Sequence, residues 1–117
     1  MNEVEIVGGE PRLSPQEVRD RISEYLAGTG VVRGVLFGSF ARGDADALSD
    51  VDLVLIEPTT LPMVERGLRH MPLFRLGVGV DLLVYTPEEY ERLKREGNSL
   101  VERVEREGVT IYARREG

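Results

Sequence analysis

The sequence predicts an α/β (α+β) domain, a small mixed β-sheet flanked by helices. Three observations predict it. Two segments, at Ser14 and Thr86, open with a full helix-start signature. Three apolar runs of strand length, 31–37, 50–56 and 78–85, are interspersed with helical patterns. Glycine or proline stands at most of the junctions. Strands and helices mixed in this way bury their apolar faces against one another in layers.

The elements follow in order. Ser14-Pro15-Gln16-Glu17 combines an N-cap serine, proline at the first helical position and glutamate at the third, which satisfies the orphan amides of a first turn. Val18, Ile22, Tyr25 and Leu26 recur at helical spacing, and Gly28 and Gly30 end the helix. Val31 to Phe37 reads as a strand interrupted by Arg33-Gly34, Gly38-Ser39 as a turn, and Phe40-Ala41-Arg42 as the start of a short helix. Gly43 to Ser49 is a polar loop. Asp50 to Ile56 is a second strand that Pro58 ends. Leu61 to His70 reads as a modest helix, with Pro62 near its start and Pro72 beyond its end. Val78 to Tyr85 is a third strand. Thr86-Pro87-Glu88-Glu89 starts a helix that runs to about Glu96 and stops at Gly97. Ser99 to Glu107 is an amphipathic helix using Leu100, Val101 and Val104, and Val109 to Tyr112 a short edge strand.

Composition bounds the function. The 117 residues, 41% of them hydrophobic, predict one packed domain over 1–117, with 1–13 as an N-terminal extension whose Glu3 to Val7 alternation suits a strand or an arm. A domain of this size hides roughly two-thirds of the surface of its unfolded chain. No cysteine is present, which excludes disulfides, thiolate metal sites and a cysteine nucleophile. No apolar run is long enough to span a bilayer, and the acidic N-terminus lacks a signal-peptide layout. A cytoplasmic protein without membrane contact is expected. The formal net charge is −6, and general nucleic-acid binding needs a basic face, so it is disfavoured.

The chemistry concentrates around three aspartates. Alternate residues of a strand share a face, roughly 6.6 Å apart. Asp50, Asp52 and Val54 therefore share one face of the second strand, while Val51, Leu53 and Leu55 share the other, expected to be core. Two such carboxylates repel each other unless a cation sits between them. Mg²⁺ suits that place, because it prefers a few carboxylates plus substrate phosphates. Asp81 lies between Val80 and Leu82-Leu83-Val84, where a buried charge needs a partner or a metal. If the second and third strands are neighbours, three carboxylates converge, the arrangement of two-metal phosphoryl or nucleotidyl transfer. Gly38-Ser39, between a strand and a helix start, suits a phosphate: glycine permits close backbone approach and helix-start amides attract anions. Arg42, one turn on, reaches a triphosphate oxygen or a nearby acid. His70, the one histidine, reads as a helix-end surface residue, and Tyr25, Tyr85, Tyr90 and Tyr112 as packing residues. The acids and arginines of 88–106 read as a solvated helical face supported by i,i+4 pairs.

Together these pieces form LFGSFARGDADALSDVDLVLI, residues 36–56. This segment resembles the minimal nucleotidyltransferase family of the DNA polymerase β superfamily, marked by Gly-Ser, about ten residues, then Asp-x-Asp. Here ten residues separate Gly38-Ser39 from Asp50-Val51-Asp52, and Asp81 stands where a third carboxylate is expected. The resemblance covers residues 14 to 112 and implies a polymerase β-like nucleotidyltransferase fold. It implies that Gly38 and Ser39 hold the β- and γ-phosphates, with Arg42 and Ser49 in the same nucleotide-binding group. Asp50 and Asp52 would bind two Mg²⁺ ions, and Asp81 would help bind the catalytic ion and activate an acceptor hydroxyl. That hydroxyl would attack the α-phosphorus of a nucleoside triphosphate, ATP by expectation, releasing pyrophosphate.

Larger relatives carry further domains to bind an acceptor, and none is evident here. Small stand-alone members resemble the antitoxin of a pair whose other half is a HEPN-domain toxin. That resemblance implies transfer of AMP to a toxin tyrosine. Two alternatives are an antitoxin acting by binding alone and an aminoglycoside-type enzyme whose site is completed in a homo-oligomer. A third is a structural domain with chance acids, which would show no Mg²⁺-dependent nucleotide binding.

Overall fold

A computed structural model describes residues 13–45 and 49–115; the Glu3 to Val7 alternation and the middle of the 43–49 loop lie outside them. The first helix, α1 (Pro15–Ala27), is followed by β1 (Arg33–Phe37), the single turn α2 (Ser39–Arg42) and β2 (Val51–Ile56). Then come α3 (Met63–Arg66), a 3₁₀ stretch over Gly67–Arg75, β3 (Val80–Tyr85), α4 (Pro87–Arg95), α5 (Ser99–Glu107) and β4 (Val109–Ala113). Among the described residues, no helix is long and apolar enough to cross a membrane.

Both helix-start signatures form as the sequence predicts. The Ser14 hydroxyl accepts from the Glu17 amide at 3.1 Å while the Ser14 amide donates to the Glu17 carboxylate at 2.7 Å. Thr86 and Glu89 repeat the exchange at 3.1 and 2.9 Å. Each exchange satisfies two backbone donors that the first turn leaves without partners. Asn98 caps α5 by accepting from the Val101 amide at 3.0 Å.

The four strands form a mixed sheet in the order β3-β2-β1-β4. β1 runs antiparallel to both β2 and β4, and β2 runs parallel to β3. On one face Val18, Ile22 and Leu26 of α1 pack with Leu73 of the 3₁₀ stretch against Leu36, Val51, Leu53, Leu55 and Val84. On the other, Tyr90 of α4 and Val101 and Val104 of α5 cover Val35, Phe37, Val54 and Ile56. This corrects the expectation of one core face for β2. Both faces are covered, and the face of Asp50 and Asp52 becomes core from Val54 onward, because α4 and α5 fold back over it.

Two further expectations change. The helix expected over 61–70 is α-helical only from Met63 to Arg66 and continues as a 3₁₀ stretch through Pro72, kinked at His70. Proline removes an amide and crowds the preceding turn, so the i,i+4 ladder cannot run through it. His70 is not a surface residue. It is 2% exposed. Its Nε2 lies 2.8 Å from a carboxylate oxygen of the buried Glu57, and its Nδ1 2.6 Å from the Tyr25 hydroxyl. Glu57 follows β2 directly, so this network ties the kink to the sheet and to α1. Arg66, also buried, makes a two-pronged bridge to Glu89 at 2.7 and 3.0 Å and donates to the carbonyls of Leu61 and Val84. It joins α3 to the cap of α4, and its guanidinium holds the Glu89 carboxyl down to about 2.

Candidate functional site

The site grows from the ends of β1, β2 and β3. In the antiparallel ladder Asp52 faces Phe37, the last residue of β1; in the parallel ladder it faces Asp81. Residues opposed in a ladder share a face, so the register brings Asp52 and Asp81 side by side. Each carboxylate lies within range of the other's charge. Burial is the first cause raising the Asp52 pKa above its ordinary 3.8, and the charges of Asp81 and Asp50 push it the same way. A cation placed among acids that repel one another in this way would relieve the repulsion.

Exposure grades along that face of β2. Asp50 is exposed, Asp52 half-buried and Val54 fully buried. The acids occupy the place where the layer made by α4 and α5 stops. Asp81 itself is exposed, because β3 is an edge strand. The argument that burial makes its charge expensive is therefore corrected. Its partner is set by register rather than by desolvation.

Two glycines make room for the acids. Gly38 has φ 76° and ψ −152°, a conformation that side chains strain to adopt. A Cβ built there would collide with the Asp52 carboxylate. Gly79, two residues before Asp81, does the same for Asp50: a Cβ there would lie 3.0 Å from the Asp50 Cγ. The Gly79 carbonyl accepts from the Val51 amide at 2.8 Å, fixing the parallel pairing at this end. Asp50 thus turns toward Gly79 while Asp52 turns toward Gly38 and Asp81. Among the described residues, no three His, Cys, Asp or Glu side chains stand ready-gathered as a cation site. The donors are nonetheless all carboxylate oxygens, the set that hard divalent cations prefer.

The other expected residues are placed as follows. Ser39 opens α2, and its carbonyl accepts from the amides of Gly43 and Asp44. The Gly38 carbonyl takes the amides of Ala41 and Arg42. The amides of Ser39 and Phe40, first in the turn, are left outside its ladder. Ser49 is half-buried immediately before Asp50. Arg42 is exposed, and its Nε lies 3.4 Å from Asp44 in the following loop, so it is engaged away from the acids. Arg103 of α5, which sequence reasoning assigned to a solvated face, has its guanidinium 5.5 Å from the centre of the Phe37 ring. Its charge draws the Asp52 pKa downward, opposing the neighbouring acids. Gly79 and Arg103 are the two site residues that the sequence did not single out. Gly79 was traceable as a residue two before Asp81 on the same face of a strand. Arg103 carried no signal among the alternating charges of α5.

The model of the nucleotidyltransferase domain family matches residues 16–113. No curated protein matches the sequence. Among solved structures, a toxin–antitoxin with AMP-PNP aligns over 88% of this chain and 76% of its own, at 20% identity and TM-score 0.58. A mutant of the MntA-HpeT toxin–antitoxin aligns over 83% and 74%, at 20% identity and TM-score 0.59. A nucleotidyltransferase-like protein from Sulfolobus solfataricus aligns over 93% and 95%, at 22% identity and TM-score 0.55. At these identities the likeness to the solved structures is one of fold.

Proposed function

We propose that this chain, which belongs to the nucleotidyltransferase domain family, acts as a single domain that transfers AMP from ATP to a tyrosine of a HEPN-domain toxin and so silences it. The observation that carries the chemistry is the Asp52–Asp81 pair, brought together by parallel register and pressed against the Gly38 turn. The partner reading is supported by the fold shared with two toxin–antitoxin structures, one of them with AMP-PNP, and by the resemblance of residues 36–56 to stand-alone minimal nucleotidyltransferases.

In this reading Gly38 and Ser39 seat the β- and γ-phosphates on the turn that opens α2, where unspent amides favour an anion. Asp50, Asp52 and Asp81 hold Mg²⁺, two ions in the full complement, which neutralises the triphosphate and the departing pyrophosphate. Arg42 exchanges its exposed bridge to Asp44, a weak one, for a phosphate oxygen, with Ser49 beside it. Asp81, exposed at the sheet edge, faces the acceptor and takes the proton of its hydroxyl. The hydroxyl oxygen bonds to the α-phosphorus as the bond from that phosphorus to the bridging oxygen breaks, and pyrophosphate leaves. Positioning and electrostatics carry such a transfer.

The test is an intact-mass comparison of the chain that co-purifies with this protein, before and after ATP and Mg²⁺, with wild type and Asp52→Ala. A gain of one or more AMP units with wild type alone establishes the transfer and identifies the acceptor. A tight partner with no gain refutes catalysis in favour of neutralisation by binding, and no partner at all moves the acceptor to a small molecule.

A further inference from the structure

The sheet face that carries Asp52 is covered by α5, and one cation of that helix lies over the aromatic ring that faces Asp52 in the ladder. Phe37 lies opposite Asp52 in the β1–β2 ladder and is followed directly by Gly38. Directly opposed residues of an antiparallel pair have side chains about 5 Å apart at their base. The Arg103 guanidinium stands over the ring of Phe37, the residue that opposes Asp52 and precedes Gly38. Its charge is felt at Asp52. It is also lightly held. Its ion pair is with Glu107, one helical turn on, at 3.8 Å, with the two side chains 50% and 39% exposed. An exposed i,i+4 pair of this length costs little to break.

We infer that Arg103 is a phosphate-binding residue: it grips the β,γ-phosphate end of the nucleoside triphosphate seated on the Gly38-Ser39 turn, and the Phe37 ring holds its guanidinium in place between turnovers. This rests on the nucleotidyl-transfer reading above. The chemistry suits the place. A guanidinium presents a planar fork of donors that matches two phosphate oxygens, and an aromatic face orients it without spending those donors. The need for it is also visible. Three carboxylates line the site, and Arg42, paired with Asp44 before nucleotide binds, is the one other arginine assigned to the triphosphate. A triphosphate brought against that acidity gains from each cation beside it, and a second guanidinium adds to what metal and Arg42 supply.

Arg103 acts in opposite directions on the two ligands, and the experiment uses this. The intact chain is titrated with Mg²⁺ alone and with ATP in the presence of Mg²⁺, for wild type, Arg103→Ala and Arg103→Lys. Arg103→Ala is expected to weaken ATP about tenfold, the effect of one lost charged hydrogen bond, while leaving Mg²⁺ affinity equal or tighter, because a positive charge beside the acids is gone. Arg103→Lys should recover part of the ATP affinity. Unchanged ATP affinity in Arg103→Ala overturns the inference, and so does a parallel loss of Mg²⁺ and ATP binding, which marks a merely structural role. A wild-type chain that binds no ATP overturns the nucleotidyl-transfer reading itself, and this inference with it.

Discussion

Placing alanine at Gly38 perturbs fold and site through two separable terms. The first is the backbone. At φ 76° and ψ −152° a side chain costs about 1–3 kcal/mol. The second is the collision of the new Cβ with the Asp52 carboxylate. Turning that group off its rotamer to relieve the collision costs about 0.5–1.5 kcal/mol. Gly38→Ala should therefore destabilise the wild type by about 2–4 kcal/mol. In an Asp52→Ala background the carboxylate is absent and the nearest remaining atom of residue 52 is its Cβ, 3.7 Å away, an ordinary contact. There only the backbone term should survive, and the double-mutant cycle should show about 1 kcal/mol of coupling. Gly43 is the control: its φ is 86° with nothing within 4 Å of an added Cβ. Gly43→Ala should cost about 1–2 kcal/mol whatever stands at residue 52. Urea unfolding of the six proteins, the Gly43→Ala/Asp52→Ala double variant among them, measures all of this. A Gly38→Ala cost that does not depend on residue 52 refutes the argument that the turn is built around the Asp52 carboxylate.

Two further predictions test the electrostatics. In the metal-free protein Asp52→Asn should melt higher than wild type at neutral pH, with an advantage that vanishes on acidification. The folded Asp52 pKa lies above its ordinary 3.8. Below that value both states hold the proton and the carboxyl costs nothing; the penalty enters as pH rises through the folded value. Thermal melts across this range check it, and a pH-independent difference refutes it. Arg66→Met should cost about 3 kcal/mol in urea unfolding, because it strands the Glu89 carboxylate and two backbone carbonyls. The Glu89 pKa is depressed from 4.5 to about 2, so the pair's contribution is present above 4.5 and fades as pH falls through 2. A loss below about 1 kcal/mol, within the reach of an exposed pair, shows that the bridge is no hub.

Local physics was legible in the chain. The exchange of hydrogen bonds at Ser14–Glu17 and Thr86–Glu89 needs only residues three apart, so the sequence sufficed to place both helix starts. The Gly38-Ser39 turn and the Asp50-x-Asp52 alternation are likewise short-range, and period two alone put both acids on one face. The edge strand at 109–112 was recognised from composition and extends one residue further.

What the tertiary structure decided depends on partners far apart in sequence. Parallel pairing of β2 with β3 is what seats Asp81 beside Asp52, and nothing near either residue specifies it. The folding of α4 and α5 over the second face buried Val54 and Ile56 while leaving Asp50 open, a boundary set by where a helix ends in space. His70 went from expected surface to core because Glu57 and Tyr25 reach it from other elements. Arg103 joined the acids because α5 crosses Phe37. Each of these is a contact whose energy appears only once the chain has closed a long loop, and no local pattern records it in advance.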